Sequence, residues 1–515
     1  MKIACVQLRA HDSAFARSAL ENALEHIDRA ASLGAELILL PESLYPSYYL
    51  GGADGADAAW RELDPLPLFS GKAREKRVWL AAGLVIEEKG RLFNGAVLWG
   101  PDGTEKLRTF KSNLWHFDRK YVSPGTCFPV VETPFGTVGM IVCADGRIPE
   151  ICRILALKGA KLVLDLTNLT STGPDVEKLS NPQLEYMLPA RAAENGIWIA
   201  VADKVGLESE SVLNCGGSCI IDPEGRIEAS AGSSKEEILL ADIDLSLPGP
   251  LFPERHPSRY SALALPTEET SAYKKQFEYI APADDEIFTA ICRFFSSSRE
   301  EYIAAARRFL ALAADQGNLL CCLPPAPGKN TLELAEILSA SIPEGGRLAV
   351  IPGLDPSGRP EAVLFARNMV LGTLNSEALS PLETSAGAIG AVFGDGGWNP
   401  EPVRCLMIQG AEIIIWIDGQ KRPGNSSLNV ARTRAAENRV FVLHLYGNDA
   451  SIIGPSGAVL ASALRNGDQA VSAMIRRAES RAKTVVPGTN IISGRIPEAY
   501  GELIASGEEE CRGGN

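Results

Sequence analysis

The hydrophobic pattern changes period several times along the chain. Residues 2–8, KIACVQL, form a short apolar run expected to be a strand. Over 14–33, Ala, Leu and Ile recur at helical spacing. Residues 36–40, ELILL, read as a buried strand that stops at Pro41 and Glu42. Strands are expected at 78–86 and 94–99, and the Pro-Asp-Gly turn at 101–103 makes 94–111 a hairpin. The run VGMIV at 138–142 ends at Cys143, and a helical pattern covers 148–158. A strand at 161–166, a helix at 181–195, a strand at 197–202 and a strand–turn–strand at 220–227 follow. Strands alternating with helices imply an α/β layer structure, and the hairpin signals imply a mixed sheet.

The pattern occurs twice. GTVGMIVCADGRIPEICRILALKGA at 136–160 aligns without gaps to GAIGAVFGDGGWNPEPVRCLMIQGA at 387–411. RAAEN recurs at 191–195 and 434–438, IIDPEG at 220–225 matches IIGPSG at 452–457, and GAELILLPE at 34–42 matches GNLLCCLPP at 317–325. Arg255-x-Pro257-x-x-Tyr260 matches Arg495-x-Pro497-x-x-Tyr500. Collinear blocks that include an identical pentad do not follow from periodicity alone, so the chain reads as a duplicated domain.

Composition narrows the function. With 45% apolar and 22% charged residues, the 515-residue chain has ordinary globular values. The net charge of −14 disfavours nucleic acid and anionic membrane surfaces as partners. No apolar run reaches the roughly 20 residues that span a bilayer. The apolar stretch before Arg9 is too short for a secretory signal. The Cys count of 11 is odd, and Cys5, Cys321 and Cys322 lie in apolar runs, which fits reduced thiols in the cytoplasm. There is no HExxH motif and no CxxC pair. Cys215 and Cys219 lack a second pair, so no metal site is expected. No phosphate loop is present, and Gly394, Gly396 and Gly397 lack the third spaced glycine of a dinucleotide fingerprint.

Cys143 stands where a buried strand meets a helix, a place where a side chain is fixed yet faces a pocket and backbone N–H groups can hold an oxyanion. A thiol near pKa 8.5 needs activation. His116 is the one His in that region; the alternative is a carboxylate that takes the proton and a cation that stabilises the thiolate. Glu42 closes a buried strand, where a carboxylate is costly unless used or paired, and Lys111 closes the hairpin.

With LLPES around Glu42, FKSNL around Lys111 and GMIVCADGRIPE around Cys143, residues 1–265 resemble the nitrilase superfamily of carbon–nitrogen hydrolases. RAAENGIWIAVAD, GGSCIIDPEGRI and RHPSRY extend the resemblance. It implies an αββα sandwich with the site at the strand ends. It also implies roles: Cys143 as nucleophile, Glu42 as general base, and Lys111 with the Ala144 N–H stabilising the tetrahedral intermediate of a thioester mechanism. No cofactor is implied. Asp118 stands where many members carry Glu, and Asn113 replaces a common His. Ala144-Asp145-Gly146-Arg147 after the Cys resembles the amidase and carbamoylase branches more than nitrilases, which usually carry Trp-Glu. Arg147 is a candidate for a substrate carboxylate, the competing reading being a surface or interdomain ion pair; Tyr45, Tyr48, Tyr49 and Trp115 are candidate pocket walls, and Asn168 a candidate pocket residue.

The second copy has Gly394 in place of Cys143 and Pro325 in place of Glu42, with no Lys between Lys329 and Lys421. The expected organisation is an active domain at 1–265, a linker at 266–284, a degenerate nitrilase-like domain at 285–505 and a tail at 506–515. The two domains are expected to pair as an intrachain pseudo-dimer, with a homo-oligomer of whole chains left open. The expected function is hydrolysis of a linear non-peptide amide or an N-carbamoyl bond, releasing ammonia or an amine. Nitrile hydrolysis, acyl transfer to an amine, ammonia supply to a partner and a non-catalytic scaffold are the alternatives.

Overall fold

The computed structural model describes residues 1–51, 63–171, 179–246, 254–278, 285–419, 427–447, 449–463 and 467–505. The chain divides into two compact units. One comprises residues 1–252 with 486–489, the other 253–485 with 490–515.

In chain order the first unit's strands are β1 (Lys2–Arg9), β2 (Leu37–Leu39), β3 (Trp79–Glu88), β4 (Arg91–Trp99), β5 (Glu105–Phe110), β6 (Val130–Thr133), β7 (Gly136–Val142), β8 (Leu162–Leu166), β9 (Trp198–Ala202), β10 (Lys204–Glu208), β11 (Val212–Cys215), β12 (Cys219–Ile221), β13 (Ile227–Ser230) and β14 (Glu237–Asp242). An eight-stranded sheet runs β11-β10-β1-β2-β3-β4-β5, with β14 also paired to β1. A six-stranded sheet runs β13-β12-β9-β8-β7-β6. Both sheets are mixed: β1, β2 and β3 are parallel neighbours, as are β7, β8 and β9, while β3–β4 and β4–β5 are antiparallel.

The central strands are covered on both faces, which is why they read as continuous apolar runs. Ile3, Cys5, Leu37 and Leu39 of the larger sheet pack against Val138, Met140, Val142, Leu162 and Leu164 of the smaller one. The alternate residues Ala4, Val6, Ile38 and Leu40 meet Leu20, Ala23 and Ile27 of helix Ala16–Ser32, and Phe69 and Ala73 of helix Leu66–Lys76. On the other side, helices Pro149–Leu157 and Leu188–Asn195 follow β7 and precede β9. The layers are α, β, β, α.

The second unit repeats this plan with two six-stranded sheets. One runs from Met369–Asn375 through Pro360–Ala366, Leu348–Leu354, Leu320–Cys322 and Glu286–Arg293 to Gln469–Arg476. The other holds Gly387–Phe393, Ile413–Asp418 and Phe441–Tyr446 at its centre. Ile291, Leu320, Val350, Ile389 and Ile413 fill the space between them.

Arg255, expected within a domain ending at residue 265, belongs to the second unit, where it pairs with Glu401 at 2.9 Å. The expected linker at 266–284 contains helix Ser271–Glu278, and Lys275 there donates to the Gly410 carbonyl at 3.1 Å. Residues 279–284 of that linker and the expected tail at 506–515 lie outside the described residues. Among the described residues no helix is long and apolar enough to cross a membrane.

Candidate active site

Three loops, two at strand ends of the larger sheet and one at a strand end of the smaller, bring the expected residues together. Glu42 follows β2, Lys111 follows β5, and Cys143 follows β7. Glu42 and Lys111 are fully buried, and Cys143 is buried. Lys111 Nζ lies 2.8 Å from Glu42 Oε1 and 2.8 Å from Asp118 Oδ2. The shorter Asp118 therefore reaches the lysine directly. Its Oδ2 also accepts the Trp115 N–H at 2.9 Å, which ties the loop to the ammonium. Burial opposes the charge on Lys111, but Asp118 and Glu42 outweigh it and hold the ammonium well above the ordinary lysine pKa. A buried triad of this kind is weak stabilisation in itself, because desolvation offsets the Coulomb gain.

Cys143 opens the 3₁₀ turn Cys143–Arg147 with φ +52°, a left-handed conformation that costs a non-glycine residue about 1–3 kcal/mol. Two groups hold the turn. The Cys143 N–H donates to Asp165 Oδ1 at 3.0 Å, and Gln183 Nε2 donates to the Cys143 carbonyl at 2.9 Å. Burial pushes the thiol well above its ordinary pKa. Glu42 adds to this, while Lys111 and a backbone hydrogen bond from Asn168 work the other way. Burial thus favours the neutral thiol.

The lysine loop is stitched to the cysteine turn. Asp145 Oδ1 accepts the N–H groups of Ser112 at 3.0 Å and Asn113 at 2.7 Å, and its Oδ2 accepts Val142 N–H at 3.2 Å. Asn113 Nδ2 donates to the Ala144 carbonyl at 2.8 Å. Burial pushes Asp145 up to about 6, with the three backbone donors and Lys111 limiting the rise.

Of the candidate wall residues, Tyr48 lies beside the triad, its ring centre 5.5 Å from Lys111 Nζ. Arg147 stacks over Trp115 at 5.0 Å, both half-buried. Asn168 is buried, and neither atom of its side-chain amide has a partner among the described residues. Glu42 Oε2 and Asp165 Oδ2 are likewise buried and without a partner there. Residues not anticipated from the sequence are Asn94, which donates to Glu42 Oε1 at 2.6 Å, and Asp145, Asp165 and Gln183. Asn94 and Asp165 each interrupt an apolar strand, which was the available signal.

In the second unit, strand register puts Ser376 at the Lys111 position and Trp416 at the Asp165 position. Gly394 keeps the turn geometry at φ +51°. Trp416 Nε1 donates to its carbonyl at 3.1 Å and packs on His444 at 4.7 Å. A cavity of about 340 Å³ remains beside Gly394, lined in part by Ser376, Arg259 and Asp395.

A carbon–nitrogen hydrolase family model matches residues 2–251 and 348–483, so the chain belongs to the carbon–nitrogen hydrolase family, and the family match falls in both copies. Among its relatives, omega-amidase NIT2-A of Xenopus laevis is 32% identical over 243 residues, covering 44% of this chain and 83% of that protein. Omega-amidase NIT2 of Homo sapiens is 30% identical over 261 residues, covering 47% and 88%. The chain is also similar to a solved amidase from Nesterenkonia sp., with 28% identity, a TM-score of 0.42, and coverage of 47% of this chain and 90% of that one.

Proposed function

We propose that this protein is an amidase whose first unit hydrolyses a linear non-peptide amide or N-carbamoyl bond through a Cys143 thioester. The observation that supports this most strongly is the buried ion pair of Lys111 with Glu42 and Asp118 next to a strained cysteine turn. Its similarity to omega-amidases agrees with an amide substrate.

Glu42 takes the thiol proton as sulfur attacks the carbonyl carbon. Charge then develops on the carbonyl oxygen, where the Lys111 ammonium and the Ala144 N–H stabilise it; a dry site makes such contacts strong. The tetrahedral adduct collapses, the C–N bond breaks, and Glu42 returns the proton to the departing nitrogen. Glu42 next takes a proton from water, whose oxygen attacks the thioester and releases the acid and the thiol. Asp118 fixes the lysine. In this reading the Asn168 amide, which has no partner among the described residues, hydrogen-bonds the substrate, Tyr48 and Trp115 wall the pocket, and Arg147 binds a substrate carboxylate.

The test is ammonia release from a panel of short primary amides, ureido acids and nitriles. Cys143→Ala abolishes it, and Glu42→Gln lowers it by about 10²–10⁴-fold. Full turnover by Cys143→Ala would exclude the mechanism.

A further inference from the structure

Val486–Thr489 lies near the far end of the chain, yet it belongs to the first unit. Thr484–Val486 and Thr489–Asn490 pair as a short hairpin, and Pro487-Gly488 forms its tip. That tip grips the loop that carries Asp118. Thr489 Oγ1 donates to the Leu114 carbonyl at 2.9 Å and accepts the His116 N–H at 2.8 Å, so one hydroxyl bridges both sides of Trp115. Arg119 Nε donates to the Gly488 carbonyl at 2.8 Å.

The loop needs such a hold. His116 sits at φ +49°, a left-handed conformation that is unfavourable for a non-glycine residue unless its surroundings impose it. The Trp115 N–H between the two Thr489 bonds is the one that donates to Asp118 Oδ2, and that oxygen lies on Lys111. The approach is close. Gly488 has φ +83°, and a Cβ there would stand 2.5 Å from the His116 carbonyl oxygen.

We infer that Thr489 and Gly488 are positioning residues for the lysine of the active site, acting through the Trp115–Asp118 loop. This rests on the proposed mechanism and adds to it a part supplied from beyond the first copy. The hairpin tip touches no reacting atom. It fixes Asp118, and Asp118 fixes the ammonium that must meet the oxyanion. Misplacement of a catalytic group by about 1 Å costs up to about 100-fold in rate.

The experiment uses the full chain with Thr489→Val, which keeps the shape and removes both bonds, and Thr489→Ser, which keeps the hydroxyl. Two readouts are taken: the rate of Cys143 alkylation by iodoacetamide, mapped by mass spectrometry, and kcat and KM for ammonia release from butyramide. Thr489→Val is expected to lower kcat and the alkylation rate by about tenfold, with KM within about twofold and the melting temperature little changed. Thr489→Ser restores both rates. If Thr489→Val does not fold, Arg119→Ala at an exposed residue carries the same test, with a smaller loss expected. Unchanged rates in these variants, or equal losses in Val and Ser, would overturn the inference. Cys143→Ser in the same assays separates the two claims, since turnover surviving that change removes the mechanism itself.

Discussion

Arg191 in the first unit donates to the Gly146 carbonyl at 3.2 Å and pairs with Glu194 at 2.6 Å. Arg434 in the second donates to the Gly397 carbonyl at 2.9 Å and pairs with Glu437 at 2.8 Å. Asn195 and Asn438 each donate to their arginine's carbonyl at 2.9 Å. The repeated RAAEN pentad is thus one device used twice: a buried guanidinium that satisfies the carbonyls of the turn after the central strand. What the turn carries differs. One holds Cys143 at φ +52°, and the other holds Gly394 at φ +51°. A glycine bears that conformation without strain and a cysteine does not. Once the thiol is gone, the strain has gone with it, and Pro325, Ser376 and Trp416 replace the carboxylate, the ammonium and the acceptor of the cysteine N–H. The scaffold is indifferent to the chemistry, while the chemistry depends on the scaffold.

The most severe way to break this comparison is to move the thiol. Cys143→Ala combined with Gly394→Cys is expected to leave amide turnover at least about 1,000-fold down, because neither Pro325 nor Ser376 supplies a base or a cation. Recovered turnover would show that the second unit keeps its own machinery. Next in size is the shared clamp. Arg191→Ala and Arg434→Ala each remove a buried guanidinium that pairs with a buried glutamate and are expected to cost about 3–5 kcal/mol in denaturant unfolding of their own unit. A silent Arg434→Ala would mean the two clamps are not equivalent.

A smaller effect isolates the strain. Cys143→Gly is expected to be about 1 kcal/mol more stable than Cys143→Ala, since alanine keeps the left-handed penalty and glycine does not. The smallest concerns Asp145. Its pKa is raised from 3.8 to about 6, so between those values the folded state binds the proton that the unfolded state has released. Its contribution to stability therefore falls as pH rises through that window. Its acceptance of three backbone N–H groups strengthens over the same range as it ionises. Turnover is expected to fall as pH drops through about 6, and Asp145→Asn should flatten the stability change between pH 4 and 6 in urea titrations.

Glu42, Lys111 and Cys143 were legible in the sequence because each ends a buried strand inside a recognisable run of residues. Central strands were legible because both faces are apolar, and helices because apolar residues recur at helical spacing. Asp145 and Asp165 were not, because their work is to accept backbone N–H groups, and nothing in a residue's identity says which amides will face it. Strands β10, β11 and β14 escaped notice because they are short or half-exposed and their apolar signal is weak. The membership of Arg255 and Thr489 could not be read along the chain at all. It is decided by packing between residues more than a hundred positions apart.

The central claim is that one copy alone carries a working nucleophile, and trapping the acyl-enzyme tests it most directly. Unaltered protein mixed with a short primary amide, quenched in acid within a turnover and digested for mass spectrometry should carry an acyl mass on Cys143 alone, with Cys292, Cys321, Cys322 and Cys405 of the second unit unmodified. An acyl group on any of those four cysteines, or turnover that persists in Cys143→Ala, would contradict the account.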